Sequence, residues 1–463
     1  MAMLPQAFIS QLQQLLPDDW VRLSDAITGS APVVSVRVNA HRHADVPVDA
    51  QRVPWCPTGF YCLERPAFTF DPDLHGGRYY VQDASSMFIG HVLRTLAGGE
   101  PLCYLDLCAA PGGKTTAALD ALPTGSLVVA NELVPARARV LRDNVVRWGN
   151  PGAVVTNATP RALGRCKACF DIIAADVPCS GEGMMRKDAE AVEQWSPALV
   201  RECAERQRAI IADVWPALKP GGLLIYSTCT YNREENEQIV EHLIACNGAE
   251  PVAVPIHDAW NILPAIGSEV PCYRFMPHCT RGEGLFMAVL RKPGEAAADK
   301  PRTPKQRSQG KAAKAAAIPP QLRNWLLNPD TFAISMQGDA AVALPLQWHH
   351  MVQQLSEAAT VLHSGVTVAT LKGGKPVPDH SLAMSTALRR EAFAACEVDY
   401  PTALQFLRGE ALTIDAPKGY TLITYHDTPL GWVNNLGNRA NNLYPKPLRI
   451  LSTHAPTTPP KVL

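Results

Sequence analysis

A chain of 463 residues is too long for one ordinary domain, so two or three domains are expected. Its hydrophobic content of 47% and its charged content of 19% are typical of a soluble globular protein that buries full-sized cores. The formal net charge of zero argues against nucleic-acid binding through a uniformly basic surface and leaves a local basic groove open.

Residues 1–75 are predicted to form a small N-terminal α+β domain of RNA-binding type, with a strand at 33–39. Between residues 76 and 292, apolar strand patterns alternate with helical patterns. Strands are predicted at 102–107, 126–130, 153–155, 170–176, 223–226 and 284–291, and helices near Thr115, at 135–148 and at 197–218. This alternation predicts an α/β fold, a doubly wound parallel sheet with right-handed crossovers.

The clearest domain boundary is the segment 293–320, which is rich in Ala, Pro, Lys and Arg. Such a segment cannot bury enough apolar surface to offset chain entropy, so it is predicted to be a basic linker. A solvated tether explains its charge better than a tether that also contacts phosphates, and both interpretations stay open. Residues 321–463 contain turn-rich pieces at 371–376 and 431–435, which predict a compact α+β or barrel-like C-terminal domain.

Thirteen cysteines do not predict a disulfide framework here, because the cytosol keeps thiols reduced. Cys166 and Cys169 form a lone CxxC pair, with Cys272, Cys279 and His278 as remote partners, so no metal site is predicted. No apolar run reaches the ~20 residues that span a bilayer, and no basic and apolar signal region begins the chain. A cytoplasmic monomer without a membrane partner is therefore expected.

The sequence DLCAAPGGKT, residues 106–115, runs from a strand end into a helix. Ligands of open α/β sheets bind at such ends, where Gly-Gly lets a ligand approach the backbone and Asp106 can neutralise an ammonium group. The spacing is that of neither a P-loop nor a GxGxxG dinucleotide motif. Glu132 ends the next strand, about 20 residues further on, where an acid can bind both hydroxyls of a ribose. The alternative interpretation is that Glu132 is a surface carboxylate at a helix N-terminus. The loop and the acid together favour an adenosine-type ligand.

Two cysteines follow neighbouring strands of the predicted sheet. Cys179 stands in DVPCSGEG, residues 176–183, and Cys229 in STCT, residues 227–230. Since the carboxyl ends of parallel strands meet at one rim, both cysteines are expected to face the glycine loop. An isolated cysteine is usually a small packing residue, and two at adjacent strand ends beside a nucleotide-like site favour chemistry instead.

These motifs resemble, in order and spacing, those of the Nop2/Sun family of RNA cytosine-5 methyltransferases. DLCAAPGGKT is similar to the cofactor motif of that family, DVPCSGEG to its first-cysteine motif and STCT to its second-cysteine motif. YVQDASS at 80–86 and RKD at 186–188 resemble further family segments. The pieces LKGGKPVPDHSLAMS and PLGWVNNLGNRANNLYPKPLR resemble the RNA-binding C-terminal domain of the bacterial RsmF-type branch, which methylates a cytosine of 16S ribosomal RNA.

The resemblance implies a class I methyltransferase fold that uses S-adenosylmethionine. The residues that it implies for cofactor binding are Asp106, Cys108, Ala109, Ala110, Pro111, Gly112, Gly113, Lys114, Glu132, Arg137, Thr159 and Asp176. The sequence departs from the family near Thr159, where an aspartate that contacts the adenine is replaced. The adenine contact is therefore expected to differ.

The resemblance also implies the catalytic residues Cys229, Cys179 and Asp176. Cys229 is expected to add as a thiolate to carbon 6 of cytosine, which makes carbon 5 nucleophilic toward the sulfonium methyl group. Cys179 is expected to assist release of the adduct, directly or through water, and Asp176 to hold the base edge or the cofactor while charge develops. DNA cytosine-5 methyltransferases use a Pro-Cys nucleophile, which would make Cys179 the attacking residue, but Thr228-Cys229 favours the RNA arrangement.

The substrate is less well specified than the chemistry. A cytosine within a paired region must be flipped or already unpaired to reach the rim. Arg37 and Lys187 are predicted to contact the RNA backbone, and Lys114 is a further candidate for a phosphate contact. The side chains that could stack on bases are Trp432, Tyr444 and Arg439, although a Trp or Tyr at such spacing more often belongs to a core. The predicted partner is 16S ribosomal RNA, either as free RNA or within the small subunit. The alternatives are a transfer RNA methyltransferase and a non-catalytic RNA-binding assembly factor.

Overall fold

The computed structural model of the chain describes residues 3–42, 50–295, 318–452 and 454–462. Most of the predicted linker, residues 296–317, lies outside these ranges. The helices are α1 Gln6–Leu15, α2 Trp20–Gly29, α3 Pro72–His75, α4 Phe88–Leu96, α5 Gly113–Ala121, α6 Pro135–Trp148, α7 Pro160–Leu163, α8 Ala189–Gln194, α9 Pro197–Val214, α10 Glu237–Asn247, α11 Gln321–Asn324, α12 His349–Ala358, α13 His380–Met384 and α14 Tyr400–Arg408.

The strands are β1 Ser35–Val38, β2 Gly59–Tyr61, β3 Tyr79–Val81, β4 Cys103–Asp106, β5 Leu127–Asn131, β6 Ala153–Asn157, β7 Phe170–Asp176, β8 Leu218–Thr228, β9 Glu250–Pro251, β10 Cys272–Phe275, β11 Leu285–Arg291, β12 Phe332–Gln337, β13 Ala340–Pro345, β14 Thr360–Ser364, β15 Val366–Lys372, β16 Lys375–Pro378, β17 Ala394–Glu397, β18 Gly419–Tyr425, β19 Thr428–Asn435 and β20 Ala440–Asn442. None of the helices in the described part of the chain has the length and apolar character needed to cross a membrane.

A nine-stranded sheet, as far as the chain is described, forms the centre of the molecule. Its order is β10-β11-β8-β7-β4-β5-β6-β14, with β9 paired to β11. Strands β8, β7, β4, β5 and β6 are parallel, and β11 and β14 run antiparallel to them at the two sides. Strand β10 pairs antiparallel with β11. The predicted doubly wound α/β sheet is confirmed.

The parallel strands are apolar along their whole length because helices cover both of their faces. On one face Tyr104 and Val128 pack with residues of α4, α5 and α6. On the other face Leu105 and Val129 pack with residues of α9, α10 and α12. This alternation of neighbouring residues between two cores is the period of a strand buried on both sides.

The prediction around residues 215–226 is partly wrong. Helix α9 ends at Val214, and β8 already begins at Leu218, where we expected the helix to continue and the turn sequence at 219–222 to stop it. The Pro-Gly-Gly sequence is taken into the strand at a register shift against β7. Gly221 has a φ of +73°, a left-handed conformation that suits glycine. Glycine within a strand often marks such a bulge.

The N-terminal region combines a three-stranded sheet, β2-β1-β3, with helices α1 and α2. Phe8 and Leu12 of α1 belong to an apolar cluster that includes Met185, Trp195 and Tyr231 of the catalytic region. The first two helices therefore support the segments that follow the two predicted catalytic cysteines.

The C-terminal region contributes to the catalytic sheet as well as forming its own two sheets, β12-β13-β15-β16 and β17-β18-β19-β20. Strand β14 pairs with β6, and Leu355 of α12 is buried in the same core as Leu105. The sheet thus takes an edge strand from the region that the sequence assigned to a separate domain. Trp432 and Tyr444 are 1% and 3% exposed, so they belong to cores and do not stack on RNA bases.

Candidate active site

The carboxyl ends of β4, β7 and β8 place three predicted site segments at one rim of the sheet. In the parallel register Asp106 lies opposite Ala174, and Asp176 lies opposite Ser227. Cys179 and Cys229 follow directly after β7 and β8. The predicted meeting of the glycine loop and the two cysteine segments is therefore present.

Helix α5 begins immediately after Gly112, whose φ of +113° is strained for any residue with a side chain. The turn is tied to neighbouring strands by hydrogen bonds from Ala109 N–H to the Asn131 carbonyl (2.8 Å) and from Leu107 N–H to the Ala174 carbonyl (2.9 Å). The loop is thus fixed against β5 and β7.

A cavity of about 180 Å³ lies between this loop and the segment 80–86. Its lining residues are Tyr80, Val81, Gln82, Asp83, Ser86, Asp106, Cys108, Ala109, Ala110, Pro111, Gly113, Lys114 and Asp176. Eight of them were predicted to bind a cofactor. The side chains from segment 80–86 were not assigned a role from the sequence, although the segment itself was noted.

Asp106 is fully buried beside this cavity. Its Oδ2 accepts a hydrogen bond of 2.6 Å from the Thr115 hydroxyl, whereas its Oδ1 has no hydrogen-bond partner. Burial raises the pKa of Asp106 to about 7. A cationic group in the cavity would supply the missing donor and favour the carboxylate.

Other predicted cofactor residues lie around the ends of β5 and β6. Glu132 accepts the Val134 N–H at 2.9 Å, and Arg137 lies 3.7 Å from its other oxygen. Arg137 also donates to the Ala110 carbonyl at 3.0 Å, so it bridges the glycine loop and Glu132. Thr159 caps α7 by accepting the Ala162 N–H at 3.2 Å. The cofactor roles of Glu132, Arg137 and Thr159 stay predictions.

Asp176 is held from two sides at the rim. Lys114 Nζ lies 2.8 Å from Asp176 Oδ2, and the Ser227 hydroxyl donates to Oδ1 at 2.7 Å. Burial opposes the charge of Lys114, but its charged neighbours, Asp176 foremost, together outweigh burial, so that the pKa of Lys114 is raised. Lys114 is therefore a fixed cation paired with Asp176.

The Sγ atoms of Cys179 and Cys229 are 3.2 Å apart. Their hydrogen bond, followed by burial, raises the pKa of the Cys179 thiol well above its ordinary value. The raised pKa favours the protonated form of Cys179, whose thiol lies within hydrogen-bond distance of the Cys229 sulfur.

Two buried glutamates connect the two cysteine segments, and the sequence reasoning missed both. Glu182, three residues after Cys179, is completely buried. It accepts hydrogen bonds from Gln11 Nε2 (2.8 Å), Trp195 Nε1 (3.1 Å), Tyr231 N–H (2.6 Å), Asn232 N–H (2.9 Å) and Asn232 Nδ2 (3.0 Å). A carboxylate with this many donors locks the segment after Cys229 against the segment after Cys179.

Glu235 closes the same network from the other side. It accepts hydrogen bonds from Ser180 N–H (2.9 Å), Gln207 Nε2 (2.8 Å) and Asn232 Nδ2 (2.8 Å). Gly183 comes so near that a Cβ there would lie 2.3 Å from the Cys229 carbonyl oxygen. The signal in the sequence was Glu182 itself, an acid within the first-cysteine motif.

The prediction that Arg37 contacts RNA is wrong. Arg37 is 2% exposed, and its guanidinium donates to Asp120, to Gln82 Oε1 (2.9 Å) and to the Thr116 hydroxyl (2.6 Å). The buried charge of Arg37 is stable because each of the three guanidinium nitrogens donates a hydrogen bond. Lys187 keeps partial exposure, with its Nζ 3.2 Å from Glu283 Oε1, and its RNA contact stays a prediction. Among the described residues, no group of three or more His, Cys, Asp or Glu is placed to hold a metal ion.

Three family descriptions match successive parts of the chain. Residues 4–84 match the N-terminal domain of 16S rRNA methyltransferase RsmF, residues 94–291 match 16S rRNA methyltransferase RsmB/F, and residues 393–450 match the methyltransferase RsmF PUA domain. Among solved structures, NSun6 from Pyrococcus horikoshii with SFG has a TM-score of 0.53 at 20% identity, covering 63% of this chain and 99% of that one. A methyltransferase homolog protein from the same organism has a TM-score of 0.52 at 24% identity, over 62% and 95%. These likenesses show the fold.

Full-length relatives carry the comparison further. The ribosomal RNA small subunit methyltransferase F of Erwinia tasmaniensis is 31% identical over 96% of this chain and 96% of its own length. The protein of that name from Klebsiella pneumoniae is 30% identical, with coverage of 96% of both chains. The resemblance that the motifs indicated is confirmed. The chain belongs to the family of ribosomal RNA small subunit methyltransferase F, the RsmF-type 16S rRNA methyltransferases.

Proposed function

We propose that the protein transfers a methyl group from S-adenosylmethionine to carbon 5 of a cytosine in 16S ribosomal RNA. The observation that carries this proposal is the 3.2 Å contact between Cys179 and Cys229 at the rim beside the Asp106 cavity. Two thiols in hydrogen-bond contact suit a reaction in which one sulfur attacks and the other transfers a proton.

The residues around the cavity fit this cofactor. Asp106 offers a buried, unpaired oxygen to its ammonium group, and Glu132 offers a carboxylate at the end of β5 to its ribose. The fixed glycine loop lets a ligand approach the backbone. When bound, S-adenosylmethionine supplies an electrophilic methyl group.

Cys229 forms the covalent bond in the proposed reaction. Its thiolate adds to carbon 6 of cytosine, and the electron pair displaced by this addition makes carbon 5 nucleophilic. The hydrogen bond from Cys179 stabilises that thiolate before attack. Asp176, oriented by Lys114 and Ser227, is the carboxylate at this rim that can hold the edge of the base.

Cys179 changes its role once Cys229 is bonded to the base. The hydrogen bond to Cys229 is the largest cause that raises the pKa of Cys179, and the charge of Cys229 adds to it. A sulfur bonded to carbon carries no negative charge, so both causes weaken in the adduct. Cys179 can then lose its proton to solvent water. As a thiolate it takes the proton from carbon 5, directly or through water, while the bond between carbon 6 and the Cys229 sulfur breaks and Cys229 leaves as a thiolate.

The family supports ribosomal RNA as the substrate over transfer RNA. We propose a cytoplasmic, monomeric enzyme whose partner is small-subunit RNA. The test is methyl transfer from labelled S-adenosylmethionine to 16S rRNA, to small ribosomal subunits and to transfer RNA, with the modified nucleoside identified by mass spectrometry. We expect 5-methylcytidine in one of the small-subunit substrates. Label in transfer RNA alone would favour the alternative enzyme, and no label in any RNA would favour an assembly factor.

A further inference from the structure

Gln82 lines the cavity beside the glycine loop and is fixed by three hydrogen bonds to strand β1. Its N–H donates to the Ser35 carbonyl at 3.1 Å, and its carbonyl accepts from the Ser35 hydroxyl at 2.5 Å. Its side-chain Oε1 accepts from Arg37 Nε at 2.9 Å. Both the backbone and the amide of Gln82 are therefore set by the N-terminal domain.

Arg37 determines which way the amide points. A guanidinium can only donate, so the oxygen of Gln82 must face Arg37 and the amide nitrogen must face away. That nitrogen, Nε2, has no hydrogen-bond partner, although Gln82 is 6% exposed. Gln82 lines the cavity that also contains Asp106, which makes Nε2 a buried donor without an acceptor beside a candidate ligand site.

The same arginine supports the opposite wall of the cavity. Arg37 donates to the Thr116 hydroxyl at 2.6 Å, and that hydroxyl donates to the Gly112 carbonyl at 2.9 Å. Asp120 neutralises the guanidinium, which also lies 4.6 Å over the ring of Trp148. Arg37 thus connects Gln82 with the glycine loop and is a positioning residue for both.

Among the buried side-chain atoms of the described lining residues, Gln82 Nε2 is an unpaired donor and Asp106 Oδ1 is an unpaired acceptor. A free amino-acid group, with its ammonium and its carboxylate, complements such a pair. Lys114 also lines the cavity, but its ammonium is paired with Asp176 at 2.8 Å.

Resting on the proposed function, we propose that the Gln82 amide binds the α-carboxylate at the amino-acid end of S-adenosylmethionine, while Asp106 accepts from the α-ammonium group. The N-terminal domain then completes the cofactor site through Arg37 and Gln82. Each wall of the cavity supplies one half of the recognition of the amino-acid group.

Two probes test this assignment by isothermal titration calorimetry: S-adenosylhomocysteine and its analogue that lacks the α-carboxylate. The variant Gln82→Met keeps the length of the side chain and removes the donor. We expect it to weaken S-adenosylhomocysteine roughly tenfold, the usual effect of losing a hydrogen bond to a charged group, and to change the affinity for the analogue less than about twofold.

Gln82→Glu places a carboxylate where the ligand carboxylate binds. We expect this variant to prefer the analogue over S-adenosylhomocysteine, a reversal that misfolding cannot produce. Gln347→Met is the matched control, because Gln347 is an exposed glutamine outside the cavity with one hydrogen bond, to the Gly125 carbonyl (2.6 Å). It should bind both probes like the wild type.

The outcomes separate this inference from the proposed function. If the wild type binds neither probe, the proposed cofactor is wrong and the Gln82 assignment falls with it. If the wild type binds S-adenosylhomocysteine but Gln82→Met weakens both probes equally or neither of them, the Gln82 assignment alone is overturned. A change confined to the KM for RNA would also overturn it, because the amide would then face the base.

Discussion

Cys179 and Cys229 share one proton-bearing contact, with their Sγ atoms 3.2 Å apart and the pKa of Cys179 raised well above its ordinary value. The contact joins the two sulfurs at one rim of the sheet, where both follow strand ends and both are partly exposed. The roles proposed for the two cysteines rest on this contact and on the raised pKa of Cys179.

Cys229→Ala is expected to abolish both methyl transfer and the covalent RNA adduct, because no sulfur remains to attack carbon 6. Cys179→Ala is expected to retain the adduct and accumulate it, because release fails. Denaturing gel electrophoresis of protein incubated with labelled small-subunit RNA and S-adenosylmethionine measures the adduct.

The matched control for this pair is Cys246→Ala, since Cys246 is an exposed thiol on α10 away from the rim. It should behave like the wild type in activity and in adduct formation. Adduct in Cys229→Ala, together with none in Cys179→Ala, would reverse the roles proposed for the two cysteines.

Cofactor affinity is expected to depend on pH through Asp106. Burial raises the pKa of this carboxyl to about 7 in the unliganded protein, and an ammonium group binds its charged form. The affinity for S-adenosylhomocysteine should therefore fall as pH decreases below 7, approaching about tenfold per pH unit, and level off above about pH 8. Calorimetry between pH 5.5 and 8.5 measures this dependence.

Asp106→Asn removes the titrating group and should bind weakly with little dependence on pH. The raised pKa also makes the stability of the fold depend on pH. When folding raises the pKa of a carboxyl, the free energy of unfolding falls as pH rises toward 7. The wild type should therefore lose more stability than Asp106→Asn between pH 4 and 7 without ligand. An unchanged pH profile of binding in Asp106→Asn would contradict this role.

Glu182→Gln tests the buried network between the cysteine segments. Both oxygens of Glu182 accept from N–H groups, so a glutamine NH₂ must face another donor. We expect about 2–4 kcal/mol less free energy of unfolding and a lower kcat, because each buried polar group left unsatisfied costs about 1–3 kcal/mol. Urea denaturation and single-turnover methylation measure the two effects.

The control for that substitution is Glu202→Gln. Glu202 has a 62% exposed side chain and pairs with Arg206 one helical turn away. Its loss should cost less than about 0.5 kcal/mol and leave kcat unchanged. Equal effects of both substitutions would remove the special role of Glu182.

Arg37 and Lys187 are expected to respond differently when RNA binding is measured against salt. Arg37→Met should destabilise the fold by about 3–5 kcal/mol, because it leaves the buried carboxylate of Asp120 without its charge partner. In the folded protein it should leave the slope of log affinity against log salt unchanged. Lys187→Ala should reduce that slope by about 1 if Lys187 contacts a phosphate. A reduced slope for Arg37→Met would contradict its burial.

Cleavage within the segment 293–320 is expected to leave the two fragments associated. Strand β14 pairs with β6, and Leu355 is buried in the core of the catalytic sheet. An engineered protease site in this segment should therefore give fragments that co-elute on gel filtration and separate in urea. Separate elution without denaturant would show that the edge strand adds little stability.

The arrangement of the rim could be predicted because it depends on local patterns. Strands β4 and β7 are continuous apolar runs that end in Asp106 and Asp176, and parallel strands bring such ends together. Cys179 and Cys229 follow neighbouring strands, so their proximity needed no knowledge of side-chain packing.

The features that could not be predicted from the sequence depend on contacts between residues far apart in the chain. Arg37 occurs in a short strand sequence that gives no sign of its partner Asp120, which is 83 residues away. Glu182 is paired with Gln11 across 171 residues. Both are buried only because distant donors and acceptors neutralise them, and no local pattern of a single sequence contains that information.

The pairing of β14 with β6 also determines when the central sheet can be completed during translation. Thr156 of β6 pairs with Val361 of β14, so β6 leaves the ribosome long before its partner exists. At roughly 5–20 residues per second, the roughly 200 residues between them take on the order of 10–40 s to translate. During that interval the edge of β6 has unpaired backbone N–H and C=O groups. Such an edge can pair with a strand other than its native partner. The catalytic sheet is thus completed only late in translation, when its final edge strand has been made.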